Sequence, residues 1–199
     1  MPPLKAILEA ALLAAAEPVS IDRLAALFDE ELRPSRDAIR AALLELAGDY
    51  QDRGVELVEV ASGFRVQVPQ SFAPWVSRLW EERAARYSRA LLETLALIAY
   101  RQPITRGEIE EVRGVSVSSS TIKTLLERGW IKVLGHREVP GRPALFGTTR
   151  EFLDYFNLKN LAELPPLAAI RDLDLIGAEL ERRQASAEPP AEASSEQES

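Results

Sequence analysis

The stretch GVELVEVASGFRVQV, residues 54–68, alternates apolar and polar side chains on both sides of a short ASG turn. Alternation with a period of two is typical of β-strands, and two such runs joined by a glycine-containing turn predict a β-hairpin. The residues before this stretch follow a helical period instead. The hairpin therefore closes a helical region, and this change of period decides the fold that we predict for residues 1–70.

Three helices are predicted ahead of the hairpin. The first spans Leu4–Ala16 and ends before Pro18, and the second spans Ile21–Phe28 with Ser20 as its N-cap. Ser35 is placed to cap a third helix, which continues up to the hairpin. Three helices followed by a hairpin is the order of a winged helix, so we predict an N-terminal winged-helix domain here.

Residues 88–164 repeat that order and predict a C-terminal winged-helix domain. Ser88 is the expected N-cap of a helix over Arg89–Tyr100, whose leucines and isoleucine recur at helical spacing. Thr105 and Glu108 have the T-x-x-E spacing of a capping box, in which each residue bonds the backbone of the other, and they open the next helix.

The last elements of this second half are a helix, a hairpin and a closing helix. The helix is expected over about Ser119–Arg128, and the strands lie in WIKVLGHREV and PALFGTT, joined by a Pro-Gly-Arg turn at 140–142. Thr148 with Glu151 is predicted to form a capping box for the closing helix. The predicted fold class is therefore mainly α with small β-hairpin wings (α+β), arranged as two tandem winged-helix domains.

Composition assigns the remaining segments. Residues 71–87 are predicted to form a connecting helix, and residues 165–184 a linker with a candidate short helix. Residues 185–199 contain four glutamates and no cation, and this apolar-poor composition predicts a disordered acidic tail. Large apolar side chains of the connecting helix are expected to face a domain: Trp75, Leu79 and Trp80.

The charge and cysteine content narrow the classes of function. The 199-residue chain has a formal net charge of −7 and no cysteine. Disulfides and thiolate chemistry are therefore excluded, which is consistent with a reducing cytoplasm. An acidic chain also argues against an autonomous nucleic-acid binder, because such binding depends on cations that neutralise phosphates. The N-terminal apolar run is short and interrupted by Glu9, so we expect an amphipathic helix and no transmembrane segment.

Catalytic patterns are sparse in this sequence. His136 is the single histidine, it falls in a predicted strand, and no G-x-S-x-G motif supplies a nucleophile. No phosphate-cradling glycine motif occurs either. We therefore expect a protein that is not an enzyme and that uses no cofactor and no metal ion.

Nucleic-acid binding receives a weak signal. The third helix of the second half begins SVSSSTIK, where hydroxyl side chains and Lys123 face a groove if this helix enters DNA. The serines and threonine are better explained as N-capping residues, because a groove-binding helix usually brings more than one cation. Lys123 and Arg142 are the candidates for a weak DNA contact.

Protein binding has more support, since the chain carries more large aromatic side chains than two small cores need. Aromatic residues and arginine are the usual anchors of protein interfaces. The apolar N-terminal helix is a candidate for self-association, and its dimerisation residues are predicted to be Leu4, Ile7, Leu8 and Leu12.

Two stretches of the chain resemble a known family. ITRGEIEEVRGV and TLLERGWIKVLGHREVPGRPALFGTTREFLDYFNLKNLAELPPL closely resemble segregation and condensation protein B, the kite-type, kleisin-interacting subunit of the bacterial SMC condensin complex. The opening LKAILEAALLAAAEPVSIDRLAAL is similar to the N-terminus of that family. The resemblance spans roughly residues 4–167.

The resemblance implies a tandem winged-helix pair without catalytic activity. Such a subunit binds the kleisin, segregation and condensation protein A, as a homodimer formed mainly through the N-terminal domain. Through the kleisin it serves the SMC ATPase in chromosome condensation and segregation during cell division, in the cytoplasm at the nucleoid. The alternative function is that of a DNA-binding winged-helix transcription regulator.

Carried onto this sequence, the resemblance assigns roles to several residues. The wing and its exit would be shaped by Gly141, Arg142, Pro143, Phe146, Gly147, Thr148 and Thr149, and the start of the second helical core by Ile104, Glu108 and Ile109. The candidate kleisin contacts are Arg137, Arg142, Phe146, Tyr155 and Phe156.

Overall fold

The computed structural model describes residues 2–79 and 87–166 of the chain. The described residues up to Glu163 belong to one compact unit. Several predicted features lie outside the described residues. They are Trp80 and the part of the predicted connecting helix up to residue 86, the candidate short helix, and the acidic tail. The described chain is mainly helical with small antiparallel sheets, which confirms the predicted fold class.

The first half consists of three helices and a hairpin, in the predicted order. The elements are α1 (Leu4–Ala14), α2 (Ile21–Ala25), α3 (Arg36–Asp49), β1 (Glu56–Val60) and β2 (Gly63–Gln67), with a 3₁₀ turn at Glu30–Leu32. Ser20 and Ser35 cap α2 and α3, because their side chains accept hydrogen bonds from the N–H groups of Arg23 and Ala38 at 3.3 and 3.1 Å. Both predicted N-caps are confirmed, although α1 and α2 end earlier than the sequence pattern suggests.

One apolar cluster fills the first half and draws on every one of these helices. Its fully buried members include Leu8 of α1, Leu24 of α2 and Ile39 of α3. Phe64 of the hairpin belongs to the same cluster and is 8% exposed. Burial of each such side chain stabilises the fold by about 1.5–3 kcal/mol, so the helices are held by packing more than by their own hydrogen bonds.

The return strand of the first hairpin has a second neighbour besides β1. Val19, in the turn before α2, exchanges two backbone hydrogen bonds with Phe64. The N–H of Val19 donates to the Phe64 carbonyl at 2.8 Å, and the N–H of Phe64 donates to the Val19 carbonyl at 2.9 Å. Gly63 sits at this close approach with φ of +141°, and a Cβ atom there would lie 2.3 Å from the Val19 carbonyl oxygen. Only glycine fits this position without a backbone shift.

The segment that follows the first hairpin is a chain of short turns. The 3₁₀ turns Gln70–Phe72 and Ser77–Leu79 flank a single α-helical turn, α4 (Ala73–Val76). Trp75 and Leu79 are 65% and 77% exposed. The expectation that they face a domain was therefore wrong, because one helical turn gives no continuous stripe to lay against a core.

The second half repeats the plan with one additional strand. Its elements are α5 (Arg89–Arg101), β3 (Ile104–Thr105), α6 (Arg106–Arg113), α7 (Ser119–Glu127), β4 (Ile131–His136), β5 (Ala144–Thr148) and α8 (Arg150–Tyr155). Ser88 caps α5 by accepting from the N–H of Leu91 at 3.2 Å. Thr105 and Glu108 form the predicted capping box, with both reciprocal hydrogen bonds present.

The sheet of the second half has the order β3-β5-β4, all antiparallel. Phe146 in the central strand stands opposite Ile104 on one side and Val133 on the other. Strand β3 was not predicted, because the sequence around Ile104 and Thr105 indicated only the start of a helix. A two-residue strand carries no period of its own, and it exists here because β5 offers it a partner.

The capping box predicted for Thr148 and Glu151 was wrong by one residue. The N-cap of α8 is Thr149, whose hydroxyl oxygen accepts from the N–H of Phe152 at 3.1 Å. Thr148 is held by Gln102 instead: its N–H donates to Oε1 at 2.7 Å, and its hydroxyl accepts from Nε2 at 3.0 Å. Thr148 therefore stays in strand β5 and does not cap α8, because a tertiary partner captures it.

The two halves contact each other through the first hairpin and the end of α8. The N–H of Ser62 donates to Asp154 Oδ1 at 2.9 Å, and Arg65 Nη2 donates to the Asp154 carbonyl at 2.9 Å and to Asn157 Oδ1 at 2.6 Å. The N–H of Ala61 donates to the Leu158 carbonyl at 3.0 Å. This hairpin tip is thus docked on the second half through polar groups. The division into two domains stays a prediction.

Candidate protein-binding surface

A group of aromatic rings lies where α8 passes the start of β4. We call it the aromatic cluster, and it consists of Tyr87, Trp130, Phe152, Tyr155 and Phe156. Trp130 is its centre, with ring centroids 4.7 Å from Tyr155, 5.0 Å from Tyr87 and 5.6 Å from Phe156. Trp130 is 3% exposed, whereas Tyr155 and Phe156 are 51% and 39% exposed. The cluster therefore has a buried base and an accessible outer face.

Local sequence positions these rings. Phe152, Tyr155 and Phe156 are three and four residues apart, so their side chains share one face of α8. Trp130 follows the end of α7, and its N–H bonds the carbonyl of Leu125 at 3.1 Å. Thr149 joins the two parts, since its N–H bonds the Trp130 carbonyl at 3.1 Å while its hydroxyl caps α8.

Polar groups complete the outer face. The guanidinium carbon of Arg128 lies 4.8 Å from the ring centroid of Tyr87 and 5.8 Å from that of Trp130. Partial burial raises the pKa of Tyr155, and a hydrogen bond between its hydroxyl and that of Tyr87 raises this pKa further. The cluster thus combines exposed rings, hydroxyl groups and one cation, which is the composition of protein-interface anchors.

Only part of this surface was predicted from the sequence. Tyr155 and Phe156 were predicted as partner contacts and are exposed there together. Tyr87 and Arg128 were not singled out, although the sequence Arg-Gly-Trp at 128–130 places a cation beside an aromatic residue at a helix end. Tyr87 is remote in sequence from Trp130, so only the tertiary structure could bring them together.

Phe146 has a different environment from the other predicted kleisin contacts. Its ring is 7% exposed and lies in the central strand of the second sheet. A partner would reach it only if the core opened. We therefore assign Phe146 to the support of the wing and no longer propose it as a contact residue.

The two arginines of the second wing are both paired with carboxylates. Arg137 Nη2 lies 2.9 Å from Glu108 Oε1, and Arg142 Nη2 lies 3.1 Å from Glu138 Oε1. Hydrogen bonds from the backbone N–H and the side chain of Thr105 lower the pKa of Glu108, and the charge of Arg137 lowers it further. The wing is therefore less basic than its arginines alone suggest.

Lys123, the other candidate for a DNA contact, is also paired. Its Nζ lies 3.5 Å from Glu127 Oε1 on the same helix. Ser118 caps α7 and its hydroxyl contacts those of Ser120 and Thr121, both at 2.8 Å. The hydroxyl-rich start of α7 is thus engaged in capping, which is the explanation that the sequence favoured.

The predicted dimerisation residues of α1 divide into two groups. Leu8 and Leu12 are 0% and 3% exposed in the core of the first half. Leu4 and Ile7 are half-buried, and Leu4 packs against that core. Because Leu8 and Leu12 already serve the protomer's own core, we no longer propose them as contacts between copies.

The single histidine and the acidic side chains of the described chain form no candidate metal site. His136 is exposed on β4. Within residues 2–79 and 87–166, no group of three or more histidine or acidic side chains is positioned to hold a metal ion. Over the same residues, each helix is too short or too polar to cross a bilayer.

Comparison with known proteins gives a consistent result. The family model of segregation and condensation complex subunit ScpB matches residues 6–167. Segregation and condensation protein B homolog of Coxiella burnetii is 63% identical over 175 residues, which are 88% of this chain and 84% of that protein. Segregation and condensation protein B of Desulforamulus reducens is 48% identical over 165 residues, 82% of this chain and 88% of that protein.

Among solved structures, the chain matches a crystal structure of a dimer of an ScpB N-terminal domain complexed with an ScpA peptide. The sequence identity is 33%, and the match covers 39% of this chain and 95% of that one. The TM-score is 0.36.

Proposed function

The chain belongs to the family of segregation and condensation complex subunit ScpB, and on that premise we propose that it binds the kleisin, segregation and condensation protein A, as a non-catalytic homodimeric subunit. The observation that carries this proposal is the 63% identity with a segregation and condensation protein B homolog over most of both chains. The family is named for a place in a complex and not for a reaction, which supports a role in binding.

The aromatic cluster supports a protein partner. Tyr155 and Phe156 present large rings to solvent above the buried Trp130. Exposed apolar rings beside hydroxyl groups and a cation are costly to leave hydrated and favourable to cover. We propose this outer face as a kleisin-binding surface, with Arg137 and Arg142 of the wing as supplementary contacts.

Self-association is proposed to involve the first half. Its exposed large apolar residues include Leu13, Leu27, Leu32 and Leu44, at 54–76% exposure. These side chains, together with the half-buried Leu4 and Ile7, are available to a second copy in a way that the core leucines are not. The kleisin then links the homodimer to the SMC ATPase, and the complex acts in chromosome condensation and segregation during cell division, in the cytoplasm at the nucleoid.

A DNA-binding regulator is a weaker alternative. Lys123, Arg137 and Arg142 each lie within 3.5 Å of a carboxylate oxygen, so their charges are partly neutralised before any phosphate arrives. Affinity for DNA depends on such cations releasing the counterions of the phosphates. We propose that direct DNA contact is weak at most.

The test is a sizing-column experiment with the full chain and the purified middle segment of the kleisin. We expect a stoichiometric complex to elute ahead of either component, and we expect weak binding to a short DNA duplex at physiological salt. Absence of a complex would overturn the proposed function. Tight DNA binding that falls steeply with salt would favour the regulator instead.

A matched pair of variants tests whether the kleisin segment binds at the aromatic cluster. Tyr155→Ala removes an exposed ring of the aromatic cluster, and Trp75→Ala removes an exposed ring of α4, which lies outside that cluster. Calorimetric titration with the kleisin segment is expected to show about tenfold or greater weakening for Tyr155→Ala and little change for Trp75→Ala. The reverse ranking would place the contact elsewhere.

A further inference from the structure

One cation, Arg128, lies against the aromatic cluster, and the proposed function does not yet assign it a role. Arg128 is the C-cap residue of α7, and its side chain is exposed. The guanidinium lies over the rings of Tyr87 and Trp130, at 4.8 and 5.8 Å from their centroids. A guanidinium that lies over aromatic rings can keep N–H donors pointing away from those rings.

Those donors have no acidic partner within the described part of the chain. Glu127, its neighbour in sequence, is turned to Lys123 at 3.5 Å. The arginines Arg106, Arg113, Arg137 and Arg142 of the same half all lie within 3.1 Å of a carboxylate oxygen. Arg128 is therefore held in place by rings, while its charge is left without a counterion from the described residues.

We propose that Arg128 binds a carboxylate side chain of the kleisin, and that the aromatic cluster holds an apolar residue next to that carboxylate. This inference rests on the proposed function and specifies its chemistry. A guanidinium has the parallel N–H donors that a carboxylate accepts in bidentate geometry. The exposed faces of Tyr155 and Phe156 cover the adjacent apolar side chain. The partner is thus a segment of mixed acidic and apolar character.

Charge complementarity at Arg128 disfavours a basic or an uncharged partner segment. A basic segment would bring a second cation against Arg128 on a surface where no described carboxylate offsets it. An uncharged apolar segment would bury the guanidinium without a partner, which costs more free energy than the added apolar contact returns. An acidic residue resolves both problems, because it supplies the missing counterion at the edge of the cluster.

The experiment measures binding of the kleisin's middle segment to the full chain by calorimetry at low and high salt. Arg128→Gln is expected to weaken binding about tenfold or more and to flatten the salt dependence. Arg128→Lys is expected to retain the salt dependence and recover part of the affinity, since it keeps the charge and loses the bidentate geometry. Arg150→Gln, the same charge change on α8, serves as the control and is expected to bind like the unaltered chain.

The outcomes separate this inference from the proposed function. Unaltered affinity and salt dependence in Arg128→Gln would overturn the inference while leaving kleisin binding intact. An equal loss in Arg150→Gln would also overturn it, because the effect would then be one of net charge. Failure of the unaltered chain to bind the segment would overturn the proposed function itself.

A charge exchange keeps the inference testable if Arg128→Gln lowers thermal stability. Each aspartate and glutamate of the kleisin segment is changed in turn to lysine, and these variants are titrated into Arg128→Glu. Recovery of binding for one pairing identifies the carboxylate that Arg128 holds. Lack of recovery for every position would overturn the inference.

Discussion

The two hairpins of the molecule follow one plan and end differently. In the first, β1 ends at Val60 and β2 begins at Gly63, and the short tip is docked on the end of α8. In the second, β4 ends at His136 and β5 begins at Ala144, so a longer tip projects with Arg142 71% exposed on its side chain. The same supersecondary unit thus serves as a contact between halves in one copy and as a free wing in the other.

The base of both hairpins is nevertheless constructed alike. Val19 stands beside Phe64, and Ile104 stands beside Phe146, so in each half the turn before the second helix pairs with a phenylalanine of the return strand. The two phenylalanines are 8% and 7% exposed. The comparison shows that the packing of the base defines the unit, while the tip is open to different uses.

The largest loss of stability is expected from truncating the phenylalanine at the base of either hairpin. Phe64→Ala and Phe146→Ala should each lower the free energy of unfolding by about 3–5 kcal/mol, because each empties a buried ring position. Urea denaturation of both variants measures this. A Phe146→Ala variant with unchanged stability would show that the ring serves a partner and not the core, and would break the equivalence of the two halves.

Glycine-to-alanine substitutions are expected to destabilise the bases of the two hairpins by different amounts. Gly63→Ala is expected to cost about 2–4 kcal/mol, since the new Cβ would meet the backbone of Val19 at a φ of +141°. Gly147→Ala is expected to cost about 1–3 kcal/mol, because its obstacles are the side chains of Leu134 and Gln102 at 2.6 and 2.7 Å. Thermal denaturation ranks the pair, and a larger loss at Gly147 would contradict the distinction between backbone and side-chain obstruction.

A smaller effect is expected at the docked tip. Arg65→Ala removes the hydrogen bonds to the Asp154 carbonyl and Asn157 Oδ1, and should cost about 1–2 kcal/mol. Arg142→Ala, its counterpart on the free wing, loses only an exposed pair with Glu138 and should change stability by less than about 0.5 kcal/mol. Equal effects in urea denaturation would mean that the first tip is not held against the second half.

The smallest effect on stability is expected from protonation of Glu108, near the base of the second hairpin. Hydrogen bonds from Thr105 and the charge of Arg137 hold the pKa of Glu108 below its ordinary value of 4.5. A lowered folded-state pKa contributes stability that is present above 4.5 and is lost as the pH falls through the folded value. Glu108→Gln should therefore flatten the loss of thermal stability below about pH 5, because glutamine still completes a capping box.

That prediction would fail if Glu108→Gln and the unaltered chain lost stability in parallel on acidification. The first half provides the comparison, since its N-caps, Ser20 and Ser35, carry no titratable group and no glutamate three residues later. A capping carboxylate is thus a feature of the Thr105 cap in the second half and not of the Ser20 and Ser35 caps.

Local signals in the sequence determined most of the fold. The period of two in residues 54–68 and the helical period before it were sufficient to predict the hairpin and the helices of the first half. Ser20, Ser35, Ser88 and the box of Thr105 with Glu108 cap helices as predicted, because capping involves residues only three positions apart. The family resemblance in residues 4–167 likewise follows from the sequence alone.

Tertiary structure decided what local patterns cannot encode. Strand β3 exists because β5 offers it hydrogen bonds, and Thr148 leaves the predicted cap because Gln102, remote in sequence, captures it. Leu8 and Leu12 look like an interface in the sequence and are core in the structure, since an apolar helical stripe has the same pattern whichever surface covers it. The aromatic cluster with Arg128 depends on Tyr87 and α8 meeting at Trp130, and this contact between distant segments is set by packing.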